Sequence, residues 1–172
     1  MSTIVRQATN VSVNVMERTA TYVTNTVIQM LLRVAGARHL DVGYLAENRE
    51  WIEQGLFVWL AEQTLQQAHL EVYMPGQDTA IERWDFAFTY ANSGGSSSTP
   101  PPVAKLQELC AKLHALPQGV EYRIVVHIAR EATKVPGWEP TELRQMNQAS
   151  EQELEDWGHG NTAVRLICRS ST

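Results

Sequence analysis

Five histidines (His39, His69, His114, His127, His159), two cysteines (Cys110, Cys168) and an acidic run at Glu151, Glu153, Glu155 and Asp156 are the residues of this chain whose types could do chemistry. A structural or catalytic metal needs Cys, His or carboxylate ligands at short recurring spacings, and none of the histidines has such neighbours. No G-x-S-x-G elbow, P-loop, dinucleotide glycine pattern or H-E-x-x-H motif occurs. Gly158-His159-Gly160 reads as a flexible turn without a partnered nucleophile or carboxylate. Cys110 falls on an apolar helical stripe, so it reads as a buried thiol rather than a nucleophile. An enzyme would have to assemble its site from scattered residues such as His127, His159 and Glu155. The residues therefore predict no catalytic site, no metal and no cofactor, and binding is the stronger reading.

Composition narrows the partners. At 172 residues and 44% hydrophobic content the chain suits one domain with an ordinary core. The net charge of −5 and the lack of any Lys/Arg cluster argue against direct nucleic-acid binding. No apolar run reaches the roughly 18 residues of a membrane span. The start MSTIVRQATNVSVNV has no apolar stretch after a basic one, so no signal peptide is expected. Two cysteines in apolar surroundings, far apart in sequence, suit reduced thiols in a cytoplasmic protein.

The elements that must position a binding surface are centred on residues 69–91. Trp84, Phe86, Phe88 and Tyr90 alternate with Arg83, Asp85 and Thr89, and Leu70, Val72 and Met74 alternate with His69, Glu71 and Tyr73. Two strands with one buried face, joined at Pro75-Gly76, make a β-hairpin. Its aromatic face needs a helical cover. Val23, Val27, Met30, Leu31 and Val34 predict a first helix from about Arg18, stopping near Gly36. Leu45, Ile52, Leu56, Trp59 and Leu60 predict a second from residue 42 or 44 to Gln63, with Gly55 in its middle. Val103, Leu106, Leu109, Cys110, Leu113 and Leu116 predict a third, with Thr99 as N-cap and Pro100 to Pro102 in its first turn. Before the first helix, Val11, Val13 and Val15 alternate with polar residues and suggest a short strand. The stretch ANSGGSSSTPPP is a low-complexity surface loop.

Residues 120–130 predict a strand, with Val120, Tyr122, Ile124, Val126 and Ile128 on one face and Glu121, Arg123 and His127 on the other. Its mixed outer face suits a sheet edge. From Glu131 to Gly160 regular patterning breaks in a Gln-, Glu-, Pro- and Gly-rich arm carrying Trp138 and Trp157. The arm ends in an apolar strand, TAVRLICRS. An exposed edge can accept a strand from a peptide, and an arm crossing over that peptide would trap it. Removing residues 134–172 is expected to leave a folded core and weaken such capture.

The order of these elements resembles the HORMA domain family. EVYMPGQDTAIERWDF is similar to the family's sheet hairpin, and WIEQGLFVWLAEQTLQQAHLEVY to the helix leading into it. KVPGWEP is similar to the segment after the edge strand, and NTAVRLICRSS to the strand inside the family's C-terminal safety belt. The likeness runs from about Thr19 onward and is nearest to the bacterial HORMA proteins of CBASS anti-phage systems. It implies an α+β HORMA fold, with three main helices on a mainly antiparallel sheet and a belt. The implied divisions are a segment 1–18, an ATPase handle or strand, then a core 19–130 and a belt 131–172. The implied protein is a non-enzymatic adaptor that captures a closure-motif peptide. Carried onto this chain, the peptide-binding residues are Tyr122, Ile124, Val126, Ile128, Trp138, Val164 and Leu166. The implied partners are the peptide, a cGAS/DncV-like nucleotidyltransferase and an AAA+ remodelling ATPase. A second HORMA protein joins them if VSVNVME is itself a closure motif rather than a strand or handle. The alternative is a HORMA adaptor in DNA repair or chromosome organisation.

Overall fold

Alternation along the hairpin is realised as pairing. In the computed structural model, which describes residues 2–91 and 97–171, β1 (Leu65–Tyr73) and β2 (Ala80–Tyr90) run antiparallel. Leu70 lies opposite Trp84 and Ala68 opposite Phe86. The connecting turn closes with Gln77 N–H donating to Met74 O at 3.1 Å, and Gly76 takes φ 81°, a left-handed value that its missing Cβ makes accessible. β1 starts at Leu65, earlier than residue 69, because fully buried Leu65 extends the inner face and its carbonyl accepts a hydrogen bond from Tyr90 Oη at 2.7 Å.

Around the hairpin the sheet grows in both directions, in the order β3-β6-β7-β2-β1-β4. β4 (Glu121–Ile128) pairs with β1, and β7 (Thr162–Ser171) pairs with β2 on the other side. β5 (Ala149–Glu153) and β6 (Trp157–Gly160) share the far side of β7, and β3 (Ser97–Thr99) pairs with β6. All these ladders are antiparallel. The arm expected to be irregular thus supplies two short strands, which gain order from pairing with β7 rather than from their own alternation.

Four described helices cover the aromatic face: α1 (Ser2–Ala37), α2 (Val42–Glu47), α3 (Arg49–Ala61) and α4 (Val103–Lys112). Three of them, α1, α3 and α4, are the main helices expected, and the short α2 arises because the second helix divides at Asn48. Asn48 Nδ2 donates to Tyr44 O at 2.8 Å while its Oδ1 accepts from Trp51 Nε1 at 2.8 Å, a local side-chain arrangement that competes with helical continuation. The N-terminal strand is corrected too: the backbone is helical from Ser2, and the first helix does not wait for Arg18. Continuing a formed helix costs less than nucleating one, so the strand preference of alternating valines is overridden. Thr99 belongs to β3 rather than to a cap, and Pro102 precedes α4. α4 also stops short of Leu113, which is extended.

Beneath the helices, Val23, Val27, Val34, Leu56, Leu70, Val72, Trp84, Phe86, Val164 and Leu166 are fully buried. Each large side chain so buried contributes on the order of 1.5–3 kcal/mol. An ion pair crosses this core: Arg38 Nε and Nη2 donate to Glu82 at 2.9 and 2.8 Å, and Trp84 Nε1 donates to the same carboxylate at 2.8 Å. Cys110 and Cys168 are both buried and free. Burial pushes the Cys110 thiol up to about 11 and raises Cys168 further. No described helix is long and apolar enough to cross a membrane.

Candidate functional site

β4 is one border of the sheet: β1 covers one of its sides, and among the described residues no strand pairs with the other. Its inner face is tied to the helices. Tyr122 Oη donates to Asp41 O at 2.5 Å, its ring meets Tyr44 edge-on at 5.1 Å, and burial pushes its phenol up to about 12. Past Ile128 the chain turns, with Ala129 N–H donating to Thr64 O at 2.9 Å. Residues 131–144 then form a strap that runs back beside the strand. Thr133 O accepts from Trp59 Nε1 at 2.7 Å, and Thr133 N–H donates to Glu62 at 3.2 Å. Further along, Trp138 packs edge-on against Trp51 and Trp59, at 4.8 and 5.1 Å, and donates from Nε1 to Trp51 O at 3.1 Å. Thr141 and Glu142 reach Arg123, near the start of β4. Among the described residues no backbone hydrogen bond joins this strap to β4.

Gly55 explains how the strap sits so close to α3. A Cβ there would stand 2.4 Å from Trp138 Nε1, so only glycine admits the indole. Mid-helix glycine costs about 1 kcal/mol relative to alanine, and here it gives the strap its anchor.

On the outer face of the sheet, charge secures the strap's second half. The Glu71 carboxylate, with no exposed surface, accepts from Arg123 Nε at 2.8 Å, Arg144 N–H at 2.8 Å and Arg144 Nη1 at 3.1 Å. The Arg144 guanidinium also lies 3.5 Å over the Tyr73 ring, a cation–π contact. Beside this node a polar chain crosses the strands. His127 Nδ1 on β4 meets His69 Nε2 on β1 at 2.9 Å, and His69 Nδ1 meets Asp85 Oδ1 on β2 at 2.5 Å. Asp85 also accepts from Arg83 at 3.1 Å and from Arg169 of β7 at 2.6 Å. Burial raises the Asp85 carboxyl, but the His69 hydrogen bond and charge, with Arg169 and Arg83, outweigh it and hold it below the ordinary carboxylate range. Among the described residues no group of three metal-ligating side chains gathers.

The seven residues read from the sequence as a peptide surface fall in two places. Tyr122 and Ile124 are buried on the inner face of β4, Val126 and Ile128 are half-buried there, and Trp138 stands on the strap. Val164 and Leu166 are fully buried in β7, opposite Phe88 and Phe86, with β2 and β1 between them and β4. Nor do the scattered polar residues converge. His159 sits on β6, stacked on Tyr22 at 4.3 Å, while His127 borders the other end of the sheet and exposed Glu155 pairs with Lys105. Sequence reasoning missed Glu71, Arg144 and the His69–Asp85 contact. Their one signal was that charged residues alternate through both hairpin strands, on a face that the strap turns out to cover.

The model of the family described as Bacterial HORMA domain 2 matches residues 8–163. The chain belongs to the bacterial HORMA domain family. Solved HORMA-type structures share its fold. A chain of the mitotic checkpoint complex superposes with a TM-score of 0.75 at 12% identity, covering 89% of this chain and 98% of that one. C. elegans HTP-1 bound to HTP-3 motif-1 gives 0.70 at 17% identity, covering 89% and 90%. The E. coli MS115-1 HORMA:CdnC:Trip13 complex gives 0.63 at 11% identity, covering 91% and 90%. No curated protein matches at the level of sequence. In this HORMA domain the strap 131–144 and strands β5 to β7 occupy the part of the chain that the resemblance assigned to the belt.

Proposed function

We propose that this HORMA domain is a non-enzymatic adaptor that captures a closure-motif peptide as an added strand on β4. The observation that carries this reading is the free border of β4 with a strap held beside it but not hydrogen-bonded to it. Main-chain hydrogen bonds, each contributing about 1 kcal/mol net, give affinity. The half-buried Val126, Ile128 and Trp138 contact the peptide side chains, and Tyr122 and Ile124 fix the strand from within. Val164 and Leu166 act at a distance, by anchoring β7 so that the strap stays taut. A strap closed over the peptide slows its release, which is where affinity is chiefly set.

The bound form then engages and activates a cGAS/DncV-like nucleotidyltransferase in cytoplasmic anti-phage signalling, and an AAA+ ATPase resets it by gripping residues 1–18. Support comes from the E. coli complex, whose HORMA protein is found with CdnC and Trip13, and from C. elegans HTP-2 bound to a HIM-3 closure motif. The helical backbone from Ser2 speaks for a handle rather than for a closure motif recognised by a second HORMA protein. Co-expression with a cGAS/DncV-like nucleotidyltransferase tests the reading. Cyclic-oligonucleotide synthesis is expected only when the chain and a selected peptide are both present. Synthesis indifferent to the chain would overturn it. The alternative, an adaptor in DNA repair or chromosome organisation, would be favoured by such indifference together with peptide capture.

A further inference from the structure

On the border strand β4, exposed His127 is bonded through Nδ1 to β1, and its Nε2 has no hydrogen bond among the described residues. What that atom can do is settled by the buried chain behind it. The Asp85 carboxylate only accepts, so the proton in the 2.5 Å contact sits on His69 Nδ1. Neutral His69 then has a bare Nε2, which accepts from His127 Nδ1–H at 2.9 Å. With its proton held on Nδ1, neutral His127 presents a bare Nε2, a hydrogen-bond acceptor, at the border of the sheet.

We infer that His127 is a specificity-determining residue: the outward peptide side chain beside it carries a hydrogen-bond donor, from Ser, Thr, Asn, Gln or Lys, and a carboxylate there is rejected. This rests on the peptide-binding reading above. The surrounding groups keep His127 neutral near neutral pH. Burial, then the neighbouring His69 ring on β1 and the charge of Arg83 on β2, lower its pKa, while Asp85 opposes them and is itself paired with Arg169 on β7. Acid reverses the preference. A solvent proton added at His127 Nε2 leaves its Nδ1–H still donating to His69 Nε2. The same His127 atom is then a donor, and a carboxylate becomes acceptable.

Two measurements on the full chain test this. Imidazole nitrogen–proton correlation spectra are expected to show neutral His127 protonated on Nδ1 at about pH 8, with the proton taken up in acid appearing on Nε2. Peptides selected by the chain from a displayed random library, remade with Thr or Glu at each outward position, form the second arm. At one position Glu is expected to bind at least about tenfold more weakly than Thr at the higher pH, with the gap narrowing in acid. A wild-type His127 carrying its proton on Nε2 at the higher pH overturns the inference. So does Glu binding as tightly as Thr at every outward position. The spectra need no peptide, so the expected tautomer with an empty selection would instead overturn the peptide-binding reading.

Discussion

Single residues set how tightly the strap is held. Gly55 is the sharpest case, because alanine ordinarily stabilises a helix interior by about 1 kcal/mol over glycine. Here the added Cβ meets Trp138 and also lies 2.9 Å from Trp59 Cζ3. Gly55→Ala should therefore lower the denaturation midpoint and speed hydrogen exchange in residues 133–140, and a rise in stability would show that the indole relaxes freely. Glu71 is the second hold. Glu71→Ala leaves Arg123 and Arg144 without their buried partner, at a cost of about 3–5 kcal/mol. Denaturant melts should record that loss, and trypsin should cut earlier at Lys134 and Arg144. Asp85 adds a pH signature. Its folded pKa is depressed, so its contribution is present above the unfolded value near 4 and is lost as pH falls through the lower folded one. Thermal melts from about pH 5 to 2 should therefore fall more steeply for the wild type than for Asp85→Asn.

At the scale of elements, β7 decides what can be removed. It covers β2 along Glu82–Tyr90 and buries Val164, Leu166 and Cys168. The expectation that residues 134–172 could be deleted to leave a folded core is corrected by this pairing, since deletion strips cover from Phe86 and Phe88. The truncated chain should lack a cooperative melt by circular dichroism. Val126→Pro acts at the β4 border, where a proline removes an N–H from the ladder. It should weaken peptide capture at least tenfold, or about 1.4 kcal/mol, and hydrogen exchange should show whether β7 stays protected when β4 opens.

For the whole molecule, the border strand β4 and the interior strand β7 are joined by side-chain chemistry. The His127–His69–Asp85–Arg169 chain runs from β4 across β1 and β2 to β7. Filling the β4 border should thus be felt at β7. Saturating peptide is expected to raise the melting temperature and to slow exchange in residues 162–171 as well as in 121–128. Protection confined to the edge strand would show that the two strands act independently.

Much of this was legible before any coordinates. Period-2 alternation marked the hairpin and β4, an apolar run marked β7, and apolar stripes marked the buried faces of α1, α3 and α4, because those patterns report a residue's relation to water, a local property. Strand preference at Val11, Val13 and Val15 misled, since helix continuation outweighed it. What the sequence alone determined is the set of faces, one apolar and one charged, and the order of elements that resembles a HORMA domain. Tertiary structure decided which border of the sheet stays unpaired, where the strap docks, and that Glu71, His69 and Asp85 meet their partners. Those contacts join residues from 16 to 84 positions apart, and no local pattern encodes which buried charge will face which.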